Sequence, residues 1–249
     1  MSDRYISGVP SPLDPFVPDL ATMLVVLPLT LLYASAAASF AGWLRVRRGV
    51  RAPYTRKVFH FLILSAATVV HLRWGLEGTV VYGSTVCALV VAAVVKGAGF
   101  AFYESIARPS DAPRQSLLII VPLVTTALGG VLANLFFPGW AHIGYAAVAW
   151  GDAIGEPVGA RWGRHRYTVP SIGGVSATRS IEGSVAVLFA SSAACAIVLL
   201  ASGSDTPAAI GGGALIGTVT TLVESISHHG MDNLTIQLAA AGAALLLFG

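Results

Sequence analysis

The chain has 249 residues, of which 55% are hydrophobic and 11% charged, with a formal net charge of +3 and a mean hydropathy of +0.75. A soluble domain with a water-facing surface is excluded by that balance, and a membrane protein with several spans fits it. The positive charge is first a topology signal in such a chain, so nucleic acid is not expected as a partner.

Residues 1–19 carry Asp3, Asp14, Asp19 and several prolines but one arginine. They lack the basic start and small-residue cleavage site of a secretory signal, so we expect an external tail ahead of an uncleaved first span. From residue 20 onward, apolar stretches long enough to cross about 30 Å of hydrocarbon recur between short polar breaks. Eight are expected, at about 20–44, 57–73, 78–101, 116–137, 141–160, 180–202, 207–227 and 233–249. The expected fold is an all-α polytopic membrane protein, with 20–249 a single transmembrane domain and 161–179 a cytoplasmic loop.

Thirteen of the fifteen Lys and Arg fall between spans one and two or at the start of span two, at or after the end of span three, or between spans five and six; Arg4 and Arg73 are the exceptions. By the positive-inside rule those connections face the cytoplasm and both termini face outward. Asp152, Glu156, Glu182, Glu224 and Asp232 then fall at the same face as the basic residues, at the ends of spans five to eight. Carboxylates at a membrane edge are costly unless paired or hydrated, and these five can converge if the four helices are neighbours. Cys87 and Cys195 lie in apolar runs without metal-ligand spacing and read as buried small hydrophobes. Gly211, Gly212, Gly213 and Gly217, with Ala240 and Ala244, put small residues where helices approach closely. Trp43, Trp74, Trp140 and Trp162 sit near the expected interfaces.

Asp152 and Glu156 are four residues apart and share a helix face. Pro157 frees the carbonyl of Ala153 beside them, which makes an oxygen-rich pocket of the kind Mg²⁺ accepts. The alternative is a kinked helix end whose acids pair with Arg161 or Arg164. Ser180-Ile181-Glu182-Gly183-Ser184 opens span six: it is either an ordinary cap or, with Arg179, a phosphate cradle that needs a metal beside Glu182. Arg164-His165-Arg166 and a Gly173-Gly174 turn form a basic loop that either closes over a polyphosphate or touches anionic lipid. Glu224 interrupts an apolar helix, Asp232 is a natural N-cap, and of the adjacent His228 and His229 at most one can serve a site. Arg56-Lys57 leads span two on the same face, with His60 one turn further in. GxxxxGK[ST] and the protein-kinase glycine loop are both absent, so any nucleotide site is built on membrane helices.

Arg56-Lys57 with His60, Gly151-Asp152 with Gly159, Gly163 and Arg164-His165-Arg166, Ser180-Ile181-Glu182-Gly183-Ser184, and Glu224 with Asp232-Asn233 together resemble the CTP-dependent membrane lipid kinases. That group comprises phytol kinase, dolichol kinase and the CTP-dependent diacylglycerol kinase, and is more distantly similar to phosphatidate cytidylyltransferase. The resemblance covers about residues 50 to 249. Arg179 stands where members commonly have lysine, and Gly155 where alanine is common. The resemblance implies a cytoplasmic CTP site, Mg²⁺ and a lipid alcohol acceptor of isoprenoid type. The implied catalytic acids are Asp152, Glu182 and Asp232. Nucleotide contacts are implied at Arg56, Lys57, His60, Arg164, His165, Arg166, Arg179, Ser180, Gly183, Ser184 and Asn233. Metal ligands are implied at Asp152, Glu156, Glu182, Glu224 and Asp232. Membrane lipids and a possible homo-oligomer complete the expected partners. The alternatives are a cytidylyltransferase acting on a lipid phosphate and, from another class, a transporter, against which the one-sided acids and the missing inverted repeat both speak.

Overall fold

A computed structural model describes residues 16–169, 177–228 and 230–249. The Gly173-Gly174 turn, His229 and most of the expected tail lie outside the described residues. Eight helices follow in order: α1 (Leu20–Val46), α2 (Ala52–Lys96), α3 (Ala101–Ile106), α4 (Gln115–Phe136), α5 (Ala141–Trp162), α6 (Ile181–Ala201), α7 (Thr206–Ile226) and α8 (Asp232–Phe248). A short antiparallel hairpin, β1 (Arg166–Val169) and β2 (Ala177–Ser180), joins α5 to α6. The otherwise all-α architecture therefore has one β element, placed where a loop is expected from sequence.

Helix α2 has 45 residues, which at about 1.5 Å per residue is twice the hydrocarbon thickness. Gly75 breaks it, with φ 61° and ψ −150°, a backbone conformation that a residue with a Cβ rarely adopts. The two halves carry the second and third expected spans, but the helix stops at Lys96, before the separate α3. α1, α2, α4, α6 and α7 are each long and apolar enough to cross a membrane, whereas α8 is a shorter apolar helix. Charged Asp152, Glu156 and Arg161 dilute the apolar character of α5.

The centre of the bundle is α5, flanked by α2, α6 and α8, with thirteen of its 22 residues buried. A stripe of glycines lets it lie close to α6. A Cβ on Gly155 would overlap Val187 Cγ2, one on Gly159 would come within 2.9 Å of Ser180 Oγ, and one on Gly183 within 3.1 Å of the Gly155 carbonyl oxygen. On the far side of α6, Gly213 and Gly217 of α7 meet Ala196 and Ser192 in the same way, whereas Gly211 faces open space. Close backbone approach without a large apolar side chain is how helices associate where lipid removes the hydrophobic drive. It also brings the first turn of α6 directly against the last turns of α5.

Gly155→Ala should lower thermal stability in detergent by about 1–3 kcal/mol, as overpacking does. Adding Val187→Ala should recover most of the loss, since it removes the atom the new methyl meets.

Candidate active site

The two acids of α5 define the site. Asp152 is 8% exposed, and Lys57, from the second turn of α2, reaches it with Nζ 2.7 Å from both carboxylate oxygens. The same Nζ lies 2.8 Å from Glu156 Oε2. Lys57 itself is 4% exposed and the Glu156 side chain 29%, so Lys57 and Asp152 are withdrawn from water and are tolerable there because they pair. Arg108, between α3 and α4, extends the cluster: its Nη1 lies 3.5 Å from Glu156 Oε1, and its Nε donates to Asp111 Oδ2 at 2.9 Å. His60 stands behind, with Nε2 3.2 Å from Asp152 Oδ2 but outside hydrogen-bond geometry.

Opposite stands a second cluster built around Arg179, at the end of β2. Its guanidinium contacts the Glu224 carboxylate and main-chain carbonyl of α7, and Nη2 lies 3.3 Å from Asp232 Oδ2 at the start of α8. Arginine's planar fork suits this bridging of two helices. The adjacent Ser180 caps α6, its Oγ accepting the Gly183 N–H at 3.1 Å. The hairpin is tied to α6 by the Tyr167 and Ser184 hydroxyls, 2.8 Å apart.

Between the clusters lies a cavity of about 420 Å³, a size usual for small-molecule sites. Its charged lining is evenly divided: Arg56, Lys57, Arg108, Arg166 and Arg179 against Asp111, Asp152, Glu156, Glu224 and Asp232. Ser180, Gly183, Ser184 and Asn233 complete the set of expected residues that line it. Elements remote in sequence thus converge at one end of the bundle.

Four expected residues do not line this cavity. Glu182 is turned away, with Oε1 2.8 Å from the His165 ring and both its oxygens 3.3 Å from the His165 N–H. Successive helical residues point about 100° apart, so seating Gly183 against α5 turns Glu182 outward, away from the position expected for a metal ligand or catalytic acid. His165 and Arg164 are exposed in the turn before β1. His60 lies behind Asp152 rather than in the cavity. Conversely, Asp111 and Arg108, neither of them an expected site residue, line the cavity. The signal was there: an Arg-Pro-Ser-Asp run in a short connection on the basic face.

Mg²⁺ binds oxygen donors and commonly takes one or two protein carboxylates, substrate phosphates and water completing its octahedron. No group of three or more His, Cys, Asp or Glu surrounds a common point among the described residues. Two pairs do occur, Asp152 with Glu156 around Lys57 and Glu224 with Asp232 around Arg179. Glu224 Oε2 and Asn233 Oδ1 are buried and lack a hydrogen-bond donor, although both residues line the cavity. Such unmet acceptors fit a cation that arrives with its phosphates.

The family resemblance drawn from the motifs has a counterpart among curated proteins. Phytol kinase of Synechocystis sp. (strain ATCC 27184 / PCC 6803 / Kazusa) is 34% identical to this chain over 116 residues, 45% of this chain and 48% of the relative. The match spans about half the length of that relative, and it supports similarity to a lipid kinase. No family model matches the sequence, and no solved structure matches it.

Lys57→Met should destabilise the protein by about 3–5 kcal/mol, because it leaves buried carboxylates without their counter-charge. Asp152→Asn added to it should restore part of the lost melting temperature, since it removes one of the stranded charges.

Proposed function

We propose that this protein is an integral-membrane lipid kinase that transfers the γ-phosphate of CTP to an isoprenoid alcohol at the cytoplasmic face. The observation that carries the reading is the cavity itself, in which five basic side chains and two carboxylate pairs surround one space at the end of an apolar helix bundle. Similarity to a phytol kinase supports a lipid acceptor. Phosphoryl transfer needs mainly positioning and electrostatic stabilisation, and this lining supplies both.

Arg56, Lys57, Arg166 and Arg179 would hold the phosphates, and the N-terminal end of α6, where Ser180, Gly183 and Ser184 line the cavity, favours their negative charge. Asp152 with Glu156, and Glu224 with Asp232, are the residues that would hold Mg²⁺, which when bound spreads the charge of the phosphates. Lys57 and Arg179 then have two partners each, carboxylates without nucleotide and phosphates with it. The acceptor oxygen forms a bond to the γ-phosphorus as the bond to the bridging oxygen breaks. CDP leaves, and the hydroxyl proton passes to a carboxylate of the cavity. The choice of CTP rests on the family resemblance, and so does the isoprenoid acceptor.

The same reading includes eight crossings, with α2 crossing twice and both termini outside. Thirteen basic residues on one side of that arrangement support it.

Purified protein given Mg²⁺, CTP and a mixture of phytol and phosphatidate should move label to phytol from the γ position; label moving from the α position to phosphatidate instead would make it a cytidylyltransferase. Asp152→Asn should cut γ transfer by at least about 100-fold while leaving folded protein. Cysteines placed at Arg48 and Ser204, in a Cys87→Ala, Cys195→Ala background, should react with an impermeant thiol reagent from opposite sides of the membrane; labelling from the same side would overturn the topology.

A further inference from the structure

A second concavity adjoins the charged cavity. It lies between α6 and α7 beneath the hairpin, has a volume of about 630 Å³, and is walled by Val185 and Leu188 on one helix and Leu222 and Ile226 on the other. Val185, Leu222 and Ile226 are 45%, 62% and 72% exposed, on helices apolar enough to cross a membrane. In a bilayer those side chains meet hydrocarbon, so the groove opens sideways into the lipid rather than into water.

Ser184 lines both spaces. Its hydroxyl is 2.8 Å from that of Tyr167, and Tyr167 also lines the groove. An apolar channel therefore leads from the membrane to a pair of hydroxyls, and beyond them lie the charges. That sequence of surfaces is complementary to a molecule with a long apolar chain and one small polar end. The apolar groove between α1 and α2, about 380 Å³ and lined by Val26, Tyr33 and Tyr82 among others, shares no lining residue with the charged cavity.

We infer that the α6–α7 groove holds the hydrocarbon chain of a single-chain lipid alcohol, and that Tyr167 and Ser184 mark where its hydroxyl passes into the charged cavity. The identity of that alcohol as an acceptor rests on the kinase reading. Occupancy of the groove does not. The hydroxyl can bridge Tyr167 and Ser184, donating to one and accepting from the other, so entry leaves neither oxygen unsatisfied. Tail and head are then recognised by different elements, the tail by α6 and α7 and the head by the hairpin and the start of α6.

The test uses the full chain in phosphatidylcholine nanodiscs and a phytol analogue with a diazirine on its chain. Photolabel should fall in 181–188 and 221–226 and be displaced by phytol but not by phytane, which lacks the hydroxyl. Label confined to α1 and α2, or displaced equally by phytane, would overturn the inference. Leu222→Trp fills the groove from an exposed position and should reduce the label and raise KM for phytol about tenfold, with KM for CTP unchanged. An unchanged KM for phytol in that variant counts against the groove. Phytol-displaceable label at the groove in a protein that transfers no phosphate would sink the kinase reading and leave the groove standing. Phosphate transfer with label elsewhere would do the reverse.

Discussion

The buried contact of Lys57 with Asp152 and Glu156 is the constraint around which the site is arranged. A carboxylate at that depth costs several kcal/mol unless a counter-charge reaches it, and α2 must start beside the end of α5 to supply one. Arg179 repeats the solution across the cavity, holding the end of α7 to the start of α8. Each cluster is a clasp between helices and, on the proposed kinase reading, a store of charge that an incoming polyphosphate would redistribute. Under that proposal, stability and binding would draw on the same side chains.

Between the clasps, the backbones of α5 and α6 approach closely. Gly155, Gly159 and Gly183 remove the side chains that would hold the helices apart, and the capped first turn of α6 is thereby delivered to the cavity wall. The hairpin completes the wall on the same logic. Its two strands bring Arg166 and Arg179, thirteen residues apart in sequence, into the lining of one cavity, while Tyr167 ties it to α6. Immediately beside this charged wall the α6 and α7 surfaces turn apolar, so one pair of helices meets both water-loving and lipid-like chemistry within a turn or two.

Much of the site was legible because charge is rare in this chain. Asp152, Glu156, Glu224 and Asp232 stood out against apolar helices, and all four line the cavity. Arg56, Lys57, Arg166 and Arg179 followed from the basic face. What misled was azimuth: Glu182 lies in the right motif and at the right helix end, yet points away because its neighbour Gly183 takes the inward position. Asp111 was missed for the opposite reason, since an acid in a polar connection carries no burial cost that would draw attention to it. The break in α2 was read as two separate spans, and Gly75 shows that a single residue with positive φ suffices to make them.

Sequence by itself determined the class of solvent, the helical architecture and the end of the molecule where the charges gather, because hydropathy and the placement of rare charges are one-dimensional properties. Only the tertiary structure decided which charges pair. Lys57 is joined to Asp152 from 95 residues away, and Arg179 to Asp232 from 53, rather than to the nearer Arg161 or Arg164 that sequence offered as partners for the α5 acids. Pairing depends on distance and direction in space, on which face of each helix is turned inward and how closely two backbones can lie.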